Sequence, residues 1–198
     1  MTQEIIQRVY QEAITEHIPI MHAEGLLYCI DLIQQHQYNA ILEVGTAIGH
    51  WSLSIAHQFS NVRIDSIEKD ASRYHRAMLN VDEAQLTHQI HLIHQDVQEF
   101  TPSKVYDLIF LDGPKSQHRV LFEKFLPYLS PAGCFIIDNM GFHDLVQHKE
   151  AYVDRRNLHG LLRKIDAFKV WILSHPSTIC QELDIGDGLL VVFRKYKD

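Results

Sequence analysis

The sequence predicts an α/β fold with a doubly wound, mostly parallel seven-stranded β-sheet, N-terminal helices and a C-terminal antiparallel hairpin. Two observations predict it. Short apolar runs alternate with helical patterns from residue 40 onward, and two final apolar runs flank a glycine-rich turn. Because 198 residues suit one core better than two, we expect a single domain over 1–198, with a helical cap at 1–36 and the sheet core at 40–198.

The N-terminal segment predicts two helices separated at Pro19. Apolar residues recur at helical spacing in both halves, which is typical of helices with one buried face. They are Ile5, Ile6, Val9, Ala13 and Ile14 in the first half, and Ala23, Leu26, Leu27, Ile30 and Ile33 in the second.

Five apolar segments then predict parallel strands at 40–44, 62–68, 90–96, 106–112 and 134–138. Each is read as a strand-then-helix unit, with a turn at 131–133 and a last helix over roughly 151–173. Such units form right-handed crossovers, which give a doubly wound sheet. Residues 177–195 predict two strands around Gly186-Asp187-Gly188, so the sheet ends in a hairpin.

Composition narrows the function classes. The net charge of -7, with 14 histidines, disfavours a protein that coats nucleic acid non-specifically, although a local basic patch leaves an RNA substrate open. Cys29, Cys134 and Cys180 lie in apolar runs and are expected to be buried free thiols. Without a signal segment or a membrane-length apolar run, we expect a cytoplasmic protein with no membrane partner.

Acidic residues end the predicted parallel strands. Because ligands bind at the carboxyl ends of such strands, these acids should meet on one rim and form a site. They are Glu43, Glu68, Asp96, Asp112 and Asp138. The motif "FLDGPKSQ" adds Lys115 after Asp112, and "CFIIDNM" adds Asn139 after Asp138.

The first strand-to-helix turn, "EVGTAIGH", predicts a nucleotide-type ligand. Gly45 and Gly49 let the backbone approach a ligand, but both the dinucleotide G-x-G-x-x-G fingerprint and the P-loop Lys-Ser/Thr are missing. Glu68 is placed to accept ribose hydroxyl hydrogens, and Asp96 could reach an adenine amine. A ribose and an adenine without a pyrophosphate suggest an S-adenosyl cofactor.

Four motifs, "AILEVGTAIGHWSLSIA", "IDSIEKD", "YDLIFLDGPKSQ" and "CFIIDNM", resemble the cation-dependent class I O-methyltransferases, the family of catechol and caffeoyl-coenzyme A methyltransferases. The resemblance covers nearly the whole chain and implies their Rossmann-like fold. Three further motifs, "HIPIM", "RKIDAF" and "IGDGL", resemble the bacterial branch that methylates 5-hydroxyuridine at the tRNA wobble position.

The resemblance implies a division of labour among the rim residues. The S-adenosyl-L-methionine (SAM) site would comprise Met21, Glu43, Gly45, Thr46, Gly49, Glu68, Asp96, Val97 and Asp112. Asp112, Asp138 and Asn139 would hold Mg²⁺ or Mn²⁺. Lys115 and Asp112 would be the catalytic pair, with Lys115 acting either as proton acceptor or as oxyanion stabiliser.

One departure from the family pattern concerns the methionine carboxylate. The serine that helps to hold it is replaced by Trp51, so either Ser52 or the indole N–H would have to substitute.

Alternatives remain for the acceptor and for the class of protein. The acceptor is either 5-hydroxyuridine in tRNA or a small catechol-like molecule, since both offer two neighbouring oxygens to a metal. A basic stretch at 154–164 favours tRNA, and the global acidity favours a small molecule. A non-catalytic binding module and a nicotinamide oxidoreductase are the rival classes. The family also suggests a homodimer.

Overall fold

A seven-stranded mixed sheet organises the chain, in the order β3-β2-β1-β4-β5-β7-β6. The computed structural model describes residues 2–113, 117–138, 140 and 155–195. The strands are β1 (Ala40–Val44), β2 (Arg63–Glu68), β3 (Ile90–His94), β4 (Tyr106–Leu111), β5 (Leu129–Ile137), β6 (Thr178–Leu183) and β7 (Leu189–Arg194). The helices described are α1 (Thr2–Thr15), α2 (Ala23–His36), α3 (His50–Gln58), α4 (Ala71–Glu83), α5 (His118–Phe125) and α6 (Arg155–Leu173).

The predicted topology is confirmed. Strands β1 to β5 pair in parallel, and β7 pairs antiparallel with both β5 and β6. The strand order reverses beside β1, which is the point at which doubly wound sheets bind ligands.

Strand residues alternate between two apolar clusters on the two faces of the sheet. Ile41, Phe110 and Ile136 pack with apolar residues of α1 to α4 on one face. Their neighbours Leu42 and Ile137 pack with residues of α5 and α6 on the other. Side chains two residues apart share a face. The side chains of the acids at 43, 112 and 138 therefore lie on the same face of the sheet as α1 to α4.

The structure corrects two details of the predicted elements. The connection from β3 to β4, residues 95–105, contains turns in place of the expected helix, so the third unit is not a strand–helix unit. Residues 131–133 are not a free turn but belong to β5, where the pairing with β4 shifts register between Tyr106 and Leu108. A proline is tolerated at such an irregularity, because no regular ladder hydrogen bond is lost there.

The cysteine prediction is confirmed for the free state of all three thiols but not for the burial of Cys180. Cys29, Cys134 and Cys180 are free thiols, the first two buried and the third half-buried. In the described ranges, no helix combines the length and the hydropathy needed to cross a bilayer.

Candidate active site

The turn after β1 brings three strand ends together. Gly45 has φ +101°, and a Cβ there would lie 2.5 Å from the Asp112 carbonyl oxygen. Its N–H donates to the Ile67 carbonyl at 3.0 Å. Gly49, with φ +90°, caps the start of α3. The glycines thus allow the turn to sit against β2 and β4 at the edge where their carboxyl ends lie.

Glu43 is the most deeply buried acid of the rim, with 1% of its surface exposed. Its Oε2 accepts a hydrogen bond from Ser66, whose hydroxyl lies 2.6 Å from that of Thr46. Its Oε1 is buried and has no hydrogen-bond partner among the described residues. Burial raises the pKa of Glu43 to about 8; the Ser66 and Ser52 hydroxyls oppose this, and the charges of Asp112 and Glu68 add to it. A buried carboxyl with one oxygen unpaired is a receptor for a cation or a donor.

Glu68 holds the loop that faces it. Its Oε2 accepts the Ala47 N–H and its Oε1 accepts the Asp70 N–H, both at 2.9 Å. Each carboxylate oxygen can accept a second hydrogen bond, so ribose hydroxyls can still be bound. Asp96 and Val97 lie just after the end of β3, where the Gln95 N–H donates to the Glu68 carbonyl at 3.1 Å. The structure therefore brings these three predicted cofactor residues to neighbouring strand ends.

Asp112 and Asp138 lie at the next two strand ends. The Asp112 N–H donates to the Val44 carbonyl at 3.0 Å, and the Asp138 N–H donates to the Leu111 carbonyl at 3.3 Å. Asp138 is buried and Asp112 half-buried. Lys115 and Asn139 fall outside the described residues. Among those described, no three His, Cys, Asp or Glu side chains form a group that could hold a metal. The predicted set needs the Asn139 amide as its third member.

Trp51, which stands where the resemblance expects a serine, is buried. Its ring stacks on Phe110 at 4.6 Å, and its Nε1 has no hydrogen-bond partner in the described part of the chain. Burial strongly raises the pKa of the Cys29 thiol, and the Trp51 side chain opposes this. Ser52 is also buried, and its hydroxyl faces the Gly49 carbonyl at 3.5 Å. Of the two candidate substitutes for the serine, the indole is therefore the donor left unused.

Met21 lies in the apolar cluster beneath this edge. It is 3% exposed, and the Cys29 thiol donates to its sulfur at 3.7 Å.

One polar pair at the rim was missed by the sequence analysis. His22 Nε2 lies 3.0 Å from Asp187 Oδ2 in the β6–β7 turn. No local pattern could have predicted this contact, because the two residues are distant in the sequence and meet only when the hairpin folds against the start of α2.

Comparison with known proteins identifies the family. The family model described as a methyltransferase domain matches residues 42–140, which contain the last three residues of β1, all of β2 to β5 and every rim acid discussed above.

One solved structure matches over nearly the whole chain. A Staphylococcus aureus protein assigned as a caffeoyl-CoA O-methyltransferase is 27% identical, with a TM-score of 0.87 over 96% of this chain and 92% of that chain. Other structures with this fold, at 20% identity or less, are complexes with S-adenosylhomocysteine or SAM.

Curated relatives match over shorter stretches. A tRNA1(Val) (adenine(37)-N6)-methyltransferase of Dyadobacter fermentans is 35% identical over 41% of this chain and 34% of its own length. A catechol O-methyltransferase of Niastella koreensis is 28% identical over 55% of this chain and 52% of its own. The chain spans about a third to a half of the curated relatives it matches. The chain therefore belongs to the family of methyltransferase domains and has the fold of the class I O-methyltransferases.

Proposed function

We propose that the protein transfers the methyl group of SAM to a hydroxyl group held at the Asp112–Asp138 side of the rim. The observation that carries the proposal is the buried Glu43 carboxyl, whose Oε1 has no partner among the described residues. It lies within the electrostatic reach of Asp112 and Glu68, so three acids crowd one edge. Such a cluster needs cationic ligands, and the ammonium and sulfonium of SAM supply two positive charges.

We expect the described residues to contact the cofactor along its length. Glu43 would accept from the ammonium, and the Trp51 N–H would donate to the methionine carboxylate. Glu68 would hold the ribose, while Asp96 and Val97 would border the adenine. The N-terminus of α3, after Gly49, adds a partial positive charge near the carboxylate.

Asp112 and Asp138 offer hard oxygen donors from adjacent strand ends, which suit Mg²⁺ or Mn²⁺. They would hold the ion together with Asn139. When bound, the ion supplies positive charge that lowers the pKa of a neighbouring hydroxyl. Lys115 would either take the hydroxyl proton or stabilise the oxyanion. Attack on the methyl group then depends on holding both reactants in line at one edge of the sheet.

The cofactor is tested by calorimetry with S-adenosylhomocysteine and NADH. We expect binding of the first alone, weakened at least tenfold in Glu68→Ala, because both ribose contacts and the anchored loop are lost. Asp82→Ala, an exposed change on α4, is the matched control. Tight NADH binding would contradict the methyltransferase proposal and favour a nicotinamide oxidoreductase.

The metal is tested by binding and by turnover. Mn²⁺ should bind the cofactor-loaded chain, as followed by electron paramagnetic resonance. Asp138→Asn should abolish this signal, and Asp166→Asn, on the exposed face of α6, should retain it. Chelation should stop methyl transfer, and Mg²⁺ should restore it. Full turnover in EDTA would show that methyl transfer does not require a metal ion bound by Asp112 and Asp138.

For the acceptor we propose 5-hydroxyuridine in tRNA. The support is the resemblance in "HIPIM" and "IGDGL" and the basic start of α6, which follows the rim in sequence with Arg155 and Arg156. The side chains of these two arginines lie outside the described part. A small catechol is the second candidate, favoured by the acidic net charge and by the similarity to a catechol O-methyltransferase.

Mass spectrometry of tRNA nucleosides from cells lacking the protein decides between these acceptors. Loss of 5-methoxyuridine-type modification supports tRNA. An unchanged profile, together with turnover of a free catechol in vitro, supports the small molecule. A homodimer, which the family suggests, is tested by light scattering of the pure chain.

A further inference from the structure

The contact between α2 and the β6–β7 turn creates a histidine–carboxylate pair at the rim. Asp187 is 8% exposed, whereas the His22 side chain is 55% exposed. Asp187 Oδ2 lies 3.0 Å from His22 Nε2, so the buried carboxylate can orient the imidazole. This contact holds the otherwise exposed His22 ring in a defined orientation.

The pairing selects the ring nitrogen that is available for chemistry. A neutral imidazole whose Nε2–H donates to a carboxylate has its lone pair on Nδ1. His22 stands at the N-cap of α2, but its side chain makes no capping hydrogen bond there. Nδ1 therefore has no hydrogen-bond partner among the described residues. An oriented imidazole with one nitrogen on a carboxylate and the other unoccupied is the arrangement of a general base and its orienting acid.

The backbone of the turn fixes where the pair lies. Strand β7 runs antiparallel to β5, with Ile137 opposite Leu190, so the turn before β7 lies beside the end of β5. The Met140 N–H donates to the Gly188 carbonyl at 2.9 Å, two residues beyond Asp138. His22 itself follows Met21, whose sulfur accepts from the Cys29 thiol of α2 at 3.7 Å.

Gly186 allows the close approach of the turn to α2. It has φ +55°, and a Cβ on it would lie 2.9 Å from His22 Cβ. A larger residue at 186 would push the turn away from His22 and break the pair. The contact therefore depends on a glycine as well as on the two polar side chains.

A second histidine–aspartate pair in the chain differs in position. His91 Nδ1 lies 3.3 Å from Asp65 Oδ1, and the His91 side chain is 74% exposed. His91 is the second residue of β3, away from the carboxyl ends of the strands. Among the described residues, a histidine–aspartate pair thus occurs at the rim and another away from it, and the second provides an internal control.

We propose that His22 is a catalytic residue of the methyl transfer, with Asp187 as its positioning residue. The inference rests on the proposed function. In the step, the acceptor oxygen forms a bond to the methyl carbon while the carbon–sulfur bond breaks, and its electron pair stays on sulfur. The hydroxyl proton moves to Nδ1 of His22. The products are the methyl ether, neutral S-adenosylhomocysteine and an imidazolium paired with Asp187. Lys115 then serves as the oxyanion stabiliser, the second of its two candidate roles.

The test uses the full chain with saturating SAM and two probes in parallel, tRNA containing 5-hydroxyuridine and 3,4-dihydroxybenzoate. His22→Ala should lower the single-turnover rate by about 10²-fold or more, the usual contribution of a general base. Added imidazole should restore part of that rate, which a merely structural role would not allow. Asp187→Asn should lower the rate about tenfold, because the ring stays oriented but its cation loses a charged partner. Affinity for S-adenosylhomocysteine should stay within twofold of wild type in both variants.

His91→Ala is the matched control and should leave the rate unchanged. An active wild type whose His22→Ala variant keeps its rate, or loses it without rescue by imidazole, overturns the role of His22 while leaving the proposed function standing. A wild type that transfers no methyl group to either probe overturns both.

Discussion

Glu43 shows how a single residue can oppose folding and serve a ligand. In the folded chain its pKa is about 8, against an ordinary value of 4.5. Between these two pH values the folded chain holds a proton that the unfolded chain has released. Stability contributed by this group therefore falls as pH rises from 4.5 to 8 and stays low above that range.

Glu43→Gln should remove this pH-dependent penalty. We expect the ligand-free variant to gain on the order of 4 kcal/mol in unfolding free energy at pH 8 relative to wild type, and about 1 kcal/mol at pH 5. Urea denaturation at both pH values measures the difference. Its affinity for SAM should fall, since the ammonium loses a charged partner. A stability difference that is the same at both pH values would contradict the burial argument.

The contributions of the Trp51 ring and of its N–H can be measured separately. Trp51→Phe keeps an aromatic ring on Phe110 but removes the buried donor that has no partner among the described residues. We expect unchanged or slightly higher stability without ligand, because an unsatisfied donor is lost. We expect about tenfold weaker S-adenosylhomocysteine binding, the value of one hydrogen bond to a charged group. Calorimetry measures this affinity, and Trp171→Phe is the control; equal affinities for the two variants would exclude the indole as the carboxylate donor.

At the scale of elements, strands were easier to predict than their connections. Strands β1, β2 and β7 are buried at nearly every residue, and such continuous apolar runs could be predicted directly from the sequence. The β3–β4 connection could not, because a parallel crossover satisfies the same topology with or without a helix. Leu27 in α2 fits the apolar stripe yet is 62% exposed, whereas Gly25 and Cys29 face the core. Tertiary packing, rather than the periodicity of apolar residues, therefore determines which face of α2 is buried.

Two glycine substitutions should have opposite effects on stability. In α6, a Cβ on Gly160 would meet nothing within 4 Å, so Gly160→Ala should stabilise the chain by about 0.5–1 kcal/mol through helix propensity. Gly45→Ala should cost more than about 2 kcal/mol, because its Cβ would strike the Asp112 carbonyl at a positive φ. Thermal unfolding of the two variants tests the pair. A stable Gly45→Ala chain would mean that the turn does not bind β4 as tightly as described.

At the scale of the whole molecule, strand polarity explains why the rim could be predicted. Parallel strands end at the same edge, so acids after β1, β2, β3, β4 and β5 must gather there. The His22–Asp187 pair could not be predicted from the sequence. It forms only when the β6–β7 hairpin pairs with β5 and the start of α2 packs against the turn of that hairpin. Contacts between distant segments of this kind depend on the packing of several elements, which no single motif encodes.

The acceptor determines how the whole molecule should respond to salt. With a net charge of -7, binding of tRNA would depend on a local basic patch rather than on the overall field. Each phosphate contact releases counterions, so tRNA affinity should fall as salt rises, whereas the free nucleoside 5-hydroxyuridine should be methylated at a nearly constant rate. Arg155→Ala/Arg156→Ala should weaken tRNA binding and reduce the slope of log K against log salt by about 1–2.

Arg63→Ala is the matched control, since Arg63 is exposed at the start of β2, the end of the strand opposite the rim. It should leave both the slope and the rate unchanged. Filter binding from 50 to 200 mM salt gives the slopes, and cofactor affinity should be equal in all variants. A double variant with wild-type slope and wild-type tRNA methylation would show that α6 does not contact the RNA. The nucleoside carries no phosphate. If salt lowered the methylation of tRNA and of the nucleoside equally, salt would be acting on the methyl-transfer step rather than on binding of the tRNA backbone.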